Sequence, residues 1–213
     1  MTSIEASRRR LQIENFVEEF LAAQQERSTA YEPREDTFLL LEALTEISLE
    51  RSRVLEIGTG SGILAAYCAR RGADVTASDI DADAIRVLRL VSDRLGTHLR
   101  LVVSDLFSDI DDRFDLVLFN PPYLPSDRTR DPAVDGGSGG IRIISGFLNQ
   151  LPQHLVENGF ALLLVSSLND PERLTVLQAG TSFEMIRQRS LFFERLYVLK
   201  VKPQRGSPLC RRA

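Results

Sequence analysis

Val54-Leu55-Glu56-Ile57-Gly58-Thr59-Gly60-Ser61-Gly62 reads as a short apolar strand that runs into a loop with glycine at every second position. Ile63 to Arg71 then has the composition of a helix, and Gly72 stops it. Alternate glycines let the backbone turn sharply and let a ligand approach it without Cβ clashes. A dinucleotide-binding loop would place its glycines as Gly-x-Gly-x-x-Gly. Counted from Gly58, that third glycine falls on Ile63, so this fingerprint is missing. Glu56, two residues before the first glycine, would repel a pyrophosphate. It could instead accept from a cationic amino group.

The same strand–loop–helix pattern continues from this point. Asp74 to Asp79 is predicted as a second strand, and Asp81 to Leu95 as a helix with Asp81 as cap and Gly96 as stop. His98 to Ser104 alternates Leu99, Leu101 and Val103 as a third strand, and Phe114 to Asn120 forms a fourth. Ile141 to Leu155 reads as a helix broken near Pro152, Gly159 to Ser166 as a fifth strand, and Pro171 to Ala179 as another helix. Phe183 to Arg189 and Phe192 to Val201 read as an antiparallel pair. Strands alternating with helices predict an α/β fold, a mostly parallel sheet with helices on both faces. Ligands of such sheets bind outside the carboxyl ends of the strands. Three successive strand ends carry an acid there: Glu56, Asp79 and Asp105. A carboxylate at Asp79 suits two ribose hydroxyls. Asp105 beside Leu106 suits an adenine, the acid accepting from its amino group and Leu106 packing on the ring.

The fourth strand ends in Asn120-Pro121-Pro122-Tyr123. Neither proline has an N–H to donate, and each fixes φ near −65°. The residue before a proline is pushed towards extended geometry. Asn120 is therefore held in a rigid turn, where its side chain offers one carbonyl and one amino group. The polar loop over 124–140, rich in Gly, Pro, Ser and Asp, is long enough to be a functional one.

Composition narrows the function classes. The chain has 213 residues, is 43% apolar and carries a net charge of −4, which argues against a protein that grips long nucleic acid through its phosphates. Only Lys200 and Lys202 among the 26 basic residues are lysines. Cys68 and Cys210 lie far apart, and His98 and His154 are isolated, so no metal-ligand spacing and no disulfide framework are expected. No apolar run reaches the ~18 residues of a membrane span, and the reading is of a cytoplasmic protein with no membrane partner. Upstream of the first strand, residues 4–27 read as a helix striped by Ile13, Phe16, Val17, Phe20 and Leu21. It could pack on its own domain, or serve as a lid or dimer contact. A second helix is predicted over 34–48, with Pro33 near its start.

Together these residues resemble a class I S-adenosylmethionine-dependent methyltransferase over about 31–201. Asn120 to Tyr123 narrows the resemblance to enzymes that methylate planar nitrogens. Tyr31-Glu32-Pro33-Arg34-Glu35-Asp36-Thr37-Phe38 and Gly136-Gly137-Ser138-Gly139-Gly140-Ile141-Arg142 resemble segments of the short HemK-like release-factor glutamine methyltransferases of archaea and eukaryotes. The resemblance implies a Rossmann-like seven-stranded sheet, order 3-2-1-4-5-7-6, with the last strand antiparallel. The methyltransferase domain then spans 31–201; the helical extension over 1–30 departs from the family pattern, and 202–213, polar with two prolines and paired arginines, reads as a mobile tail.

By position, Thr37, Glu56, Gly58, Gly60, Asp79, Asp105, Leu106 and Asn120 would hold S-adenosylmethionine. Asn120, Pro121 and Tyr123 would hold the target amide, the glutamine of a Gly-Gly-Gln motif in a peptide chain release factor. The implied partner is a small zinc-binding activator subunit that adds a strand at the edge formed by Leu99 to Val103. Two other acceptors stay open on the same fold: an exocyclic base amine in RNA or DNA, and a protein lysine.

Overall fold

The computed structural model describes residues 3–24, 33–122, 141–169 and 180–204. Seven strands form one sheet: β1 (Arg53–Ile57), β2 (Asp74–Asp79), β3 (Leu99–Val103), β4 (Phe114–Phe119), β5 (Leu155–Ser166), β6 (Thr181–Ser190) and β7 (Arg195–Pro203). Their order is β3-β2-β1-β4-β5-β7-β6. β1 to β5 pair in parallel, and β7 runs antiparallel between β5 and β6. This is the topology the resemblance implied.

Among the described residues, five α-helices cover the sheet: α1 (Ser3–Ala23), α2 (Glu35–Leu44), α3 (Ile63–Arg70), α4 (Ala82–Leu95) and α5 (Ile141–Gln150). Alternation along the strands sorts the core into two layers. Val54, Val75, Ala77, Leu116, Leu118, Leu162 and Leu164 pack with α1, α2, α3 and α4. Leu55, Ile57, Val117, Phe119, Ala161, Leu163 and Val165 pack with Ile144, Phe147 and Leu148 of α5 on the other face. The helix expected over 171–179 lies outside the described residues.

α1 belongs to the first layer. Phe16 and Phe20 are buried there, and the Phe16 ring meets Tyr67 of α3 edge-on at 5.2 Å. Burying each such side chain is worth roughly 1.5–3 kcal/mol. Arg70 pairs with Glu19, and Arg94 donates to the Ala23 carbonyl (2.9 Å). Of the roles left open by the sequence, packing on its own domain is the one observed.

α4 starts and stops as expected. Asp81 accepts from the Asp83 amide at 2.8 Å, and Gly96 closes the helix at φ 64°. β5 differs: it begins at Leu155, four residues before the expected start. Glu157-Asn158-Gly159 looks like a turn, yet the chain stays paired with β4 through an irregularity between Phe114 and Leu116. Asn158 takes φ 72° there, and a Cβ at Gly159 would sit 2.8 Å from the Phe114 carbonyl. A polar triplet with one residue in the left-handed region is a bulge within a strand. β7 extends to Pro203, two residues into the segment expected as tail, and Phe192 stands at the β6–β7 hairpin tip instead of on a strand.

Candidate active site

Register brings the predicted site residues to one line along the sheet. Ile57 lies opposite both Ser78 and Phe119, and Asp79 lies opposite Val103. One step further, Asp79, Gly58 and Asn120 stand abreast of Val103, with the Ser104 turn just beyond it, at the strands' carboxyl ends where an open α/β sheet forms its crevice.

Glu56 is 3% exposed and faces the α2–α3–α4 layer. Its Oε2 accepts from the Thr59 hydroxyl (2.6 Å) and from the Ala65 amide (2.9 Å). One carboxyl group thus ties the glycine loop to the first turn of α3. Burial pushes its pKa up to about 8 against these two hydrogen bonds, and Asp79 adds to the rise. The loop is also held from β2: the Thr59 amide donates to the Ser78 carbonyl (2.9 Å), and the Gly60 amide donates to Asp79 Oδ2 (2.8 Å). Asp79 Oδ1 accepts from the Asp81 amide at 2.9 Å. Each carboxylate oxygen can take a second donor, so Asp79 keeps capacity for ribose hydroxyls. Gly60, at φ 53°, adopts a conformation that side chains disfavour.

Beyond β3, Asp105 is exposed and Leu106 takes φ 49°. That conformation costs an aliphatic residue about 1–2 kcal/mol, and such strain gathers at ligand sites. Ser104 clamps the turn: its hydroxyl donates to the Leu106 carbonyl and accepts from the Asp109 amide, both at 3.1 Å.

Asn120 carries the clearest signal. Its Nδ2 donates to Asp36 Oδ2 at 3.3 Å. Its Oδ1 is buried and has no hydrogen-bond partner among the described residues. A buried carbonyl without a donor costs about 1–3 kcal/mol, so this oxygen is an acceptor held ready. Asp36 is itself 2% exposed, and its Oδ1 accepts from the Thr37 amide (2.7 Å) and hydroxyl (3.2 Å). Thr37, Asp36 and Asn120 form one cluster between α2 and β4. Pro121 is buried beside it. Tyr123, the loop over 124–140 and Gly136 to Gly140 lie outside the described residues; Ile141 and Arg142 open α5.

Behind Asn120, an aromatic row supports the strand end. Phe119 meets Phe147 (4.7 Å), Phe147 stacks on Phe107 (5.6 Å), and Phe107 stacks on His154 (4.3 Å). Burial holds the His154 imidazole below its usual pKa. Among the described residues, no group of three His, Cys, Asp or Glu is placed to hold a metal.

Two residues of the site's hydrogen-bond network escaped the sequence reading. Asp36 sits in the quoted Glu35-Asp36-Thr37 segment but reads there as a helix-start acid, and its link to Asn120 spans 84 positions. Thr59 reads as loop filler; only its 2.6 Å bond to Glu56 marks it. Glu56 was expected to face a ligand's amino group, whereas its Oε2 is engaged within the loop.

The residues fit a nucleoside-bearing methyl donor: a glycine cradle, a half-exposed acid on β2, a strained leucine turn after β3, and an unpartnered acceptor on β4. Comparison with known proteins agrees. Residues 34–192 match the methyltransferase small domain. A Methanocaldococcus jannaschii protein, provisionally named a protein N5-glutamine methyltransferase, is 34% identical over 79% of this chain and 89% of its own. Human methyltransferase HEMK2 is 31% identical over 69% of this chain and 76% of its own. The release factor glutamine methyltransferase of Koribacter versatilis is 33% identical over 72% of this chain, which spans 61% of that longer protein. Among solved structures, the E. cuniculi Mtq2–Trm112 complex, responsible for methylation of the eRF1 translation termination factor, superposes with a TM-score of 0.67. It is 31% identical, over 82% of this chain and 99% of that one. By sequence and by fold, the chain belongs to the methyltransferase small domain family, among the HemK-like enzymes.

Proposed function

We propose that this enzyme transfers a methyl group from S-adenosylmethionine to the side-chain amide nitrogen of a glutamine in a peptide chain release factor. The observation that carries the reading is the buried, unpartnered Oδ1 of Asn120. An acceptor in a rigid strand-end turn suits a primary amide, whose –NH2 can donate to it. The names and title of the relatives, glutamine methyltransferases and an eRF1-methylating complex, support the same substrate class.

An amide nitrogen is a poor nucleophile because its lone pair is delocalised. Asn120 Oδ1, with the Pro121 carbonyl, would orient the target –NH2 and favour the positive charge that develops on nitrogen. When bound, S-adenosylmethionine would supply an electrophilic methyl group to the target nitrogen, with the displaced amide proton passing to water. Asp79, Gly58, Gly60, Thr37 and the Asp105-Leu106 turn would hold the donor, and Tyr123 would pack on the planar target. No general base is required of the chain. Positioning can supply up to ~7–11 kcal/mol of the acceleration in well-aligned cases. A small zinc-binding activator would add a strand at β3, in keeping with the Trm112 subunit of the structural relative.

The test is methylation with labelled S-adenosylmethionine, offering release factor and RNA separately. Label should enter the peptide that carries Gly-Gly-Gln and vanish when its glutamine is replaced by alanine. Label on RNA, or on lysine in the substituted factor, would overturn the substrate assignment.

A further inference from the structure

We infer that Asp36 is a positioning residue whose carboxylate fixes which end of the Asn120 side-chain amide meets the methyl acceptor. The inference rests on the reading of Asn120 as the group that binds the target –NH2. The two ends of an asparagine amide are opposite in character, one donor and one acceptor, and nearly the same in shape. A proline-locked backbone sets where the amide sits, yet leaves a half-turn about its last torsion almost free in steric terms. Only an electrostatic partner can choose between the two orientations. Asp36 Oδ2 is that partner, at 3.3 Å from Asn120 Nδ2. Asp36 Oδ2 is the acceptor of this bond, so the amino end of Asn120 turns towards it. The carbonyl end is then presented, buried and unpaired.

The carboxylate is itself held against rotation. Its other oxygen takes the Thr37 amide at 2.7 Å and the Thr37 hydroxyl at 3.2 Å. Asp36 is 2% exposed, which shields the pair from solvent screening. The helix that carries Asp36 is braced in turn. Arg189 of β6 pairs with both Glu35 and Glu42 of α2. The polarity of the acceptor therefore follows from a helix far away in sequence.

Asp36→Asn separates this role from packing, because the two side chains are isosteric. If the new carbonyl keeps the two Thr37 donors, the new –NH2 faces Asn120. Asn120 must then turn its carbonyl inward and meet the target amide donor to donor. Asp36→Asn is expected to lower kcat about 100-fold, with the melting temperature and the KM for S-adenosylmethionine nearly unchanged. Asp36→Asn combined with Asn120→Asp restores a donor facing an acceptor, and leaves a carboxylate oxygen towards the target. This double variant should recover activity about tenfold or more over Asp36→Asn alone.

Asn120→Ala is the control, with transfer expected to be lost while calorimetry still shows S-adenosylmethionine bound. If Asn120→Ala is inactive but Asp36→Asn transfers at near the natural rate, Asp36 does not set the orientation. A double variant no better than Asp36→Asn has the same meaning. If Asn120→Ala itself transfers methyl normally, the reading of Asn120 fails and this inference with it.

Discussion

Glu56 shows how much one side chain is asked to do. Its position two residues before Gly58 predicts an acid that faces a ligand, whereas the fold buries it. What spacing cannot show is that its Oε2 already serves Thr59 and Ala65, because neither bond follows from sequence neighbourhood. The pH dependence follows from its burial. In the fold its pKa is raised to about 8 from an ordinary 4.5, so between those values the folded chain holds a proton that the unfolded chain has released. Stability from this group is therefore full below about pH 4.5 and is lost as pH rises towards about 8. His154 works in the opposite sense: its lowered pKa withdraws stability as pH falls below about 6.5. The window from about pH 6.5 to 8 thus isolates Glu56. Urea midpoints measured there should fall with pH in the natural protein, and Glu56→Gln should flatten that slope. Equal slopes in the two proteins would count against a buried, protonated Glu56.

At the scale of elements, the glycine loop is held as much by α4 as by its own strand. Gly62, the N-cap of α3, takes φ 82°, and a Cβ there would lie 2.2 Å from Leu88 Cδ1. Gly62→Ala therefore meets two costs, a left-handed alanine and a clash with a buried leucine, together roughly 2–4 kcal/mol. A chemical-denaturation cycle with Leu88→Ala should show a coupling of about 1 kcal/mol or more, since the smaller residue removes the clash and leaves the φ strain. Additive losses would mean that Leu88 moves aside freely. Elements set by local chemistry were legible to within a residue or so, as at β2 and at α4 with its Asp81 and Gly96 caps. Those set by pairing were not. Asn158 and Gly159 carry a turn composition, and only the β4 backbone alongside holds them in β5. The Asp36–Asn120 contact was hidden for a related reason: it joins two elements through the tertiary fold, and no periodicity reports it.

For the whole molecule, the sheet ends in two unlike edges. β6 is tied back to α2 and the turn after it: Arg189 pairs with Glu35 and Glu42 of the helix, and Arg187 pairs with Glu46 just beyond it. β3 is short and apolar, with Val103 49% exposed next to the Ser104–Leu106 turn of the proposed donor site. An open apolar edge invites strand pairing and aggregation unless something covers it. A subunit docked there would shield the edge and steady the strained Leu106 turn at once, which couples a structural need to cofactor binding. Val103→Lys tests this coupling. The residue is half out of the core, so the fold should lose no more than about 0.5 kcal/mol, whereas a lysine on a strand edge disfavours an added strand. On co-expression with a Trm112-type subunit, the natural protein should carry the subunit through purification. Val103→Lys should retain about a tenth of it or less, and should bind S-adenosylmethionine more weakly than the natural pair. Met185→Lys, at an exposed position on the β6 edge, should change neither measurement. Full capture by Val103→Lys, or equal loss in both variants, would move the partner away from β3 and leave the strained turn to hold itself.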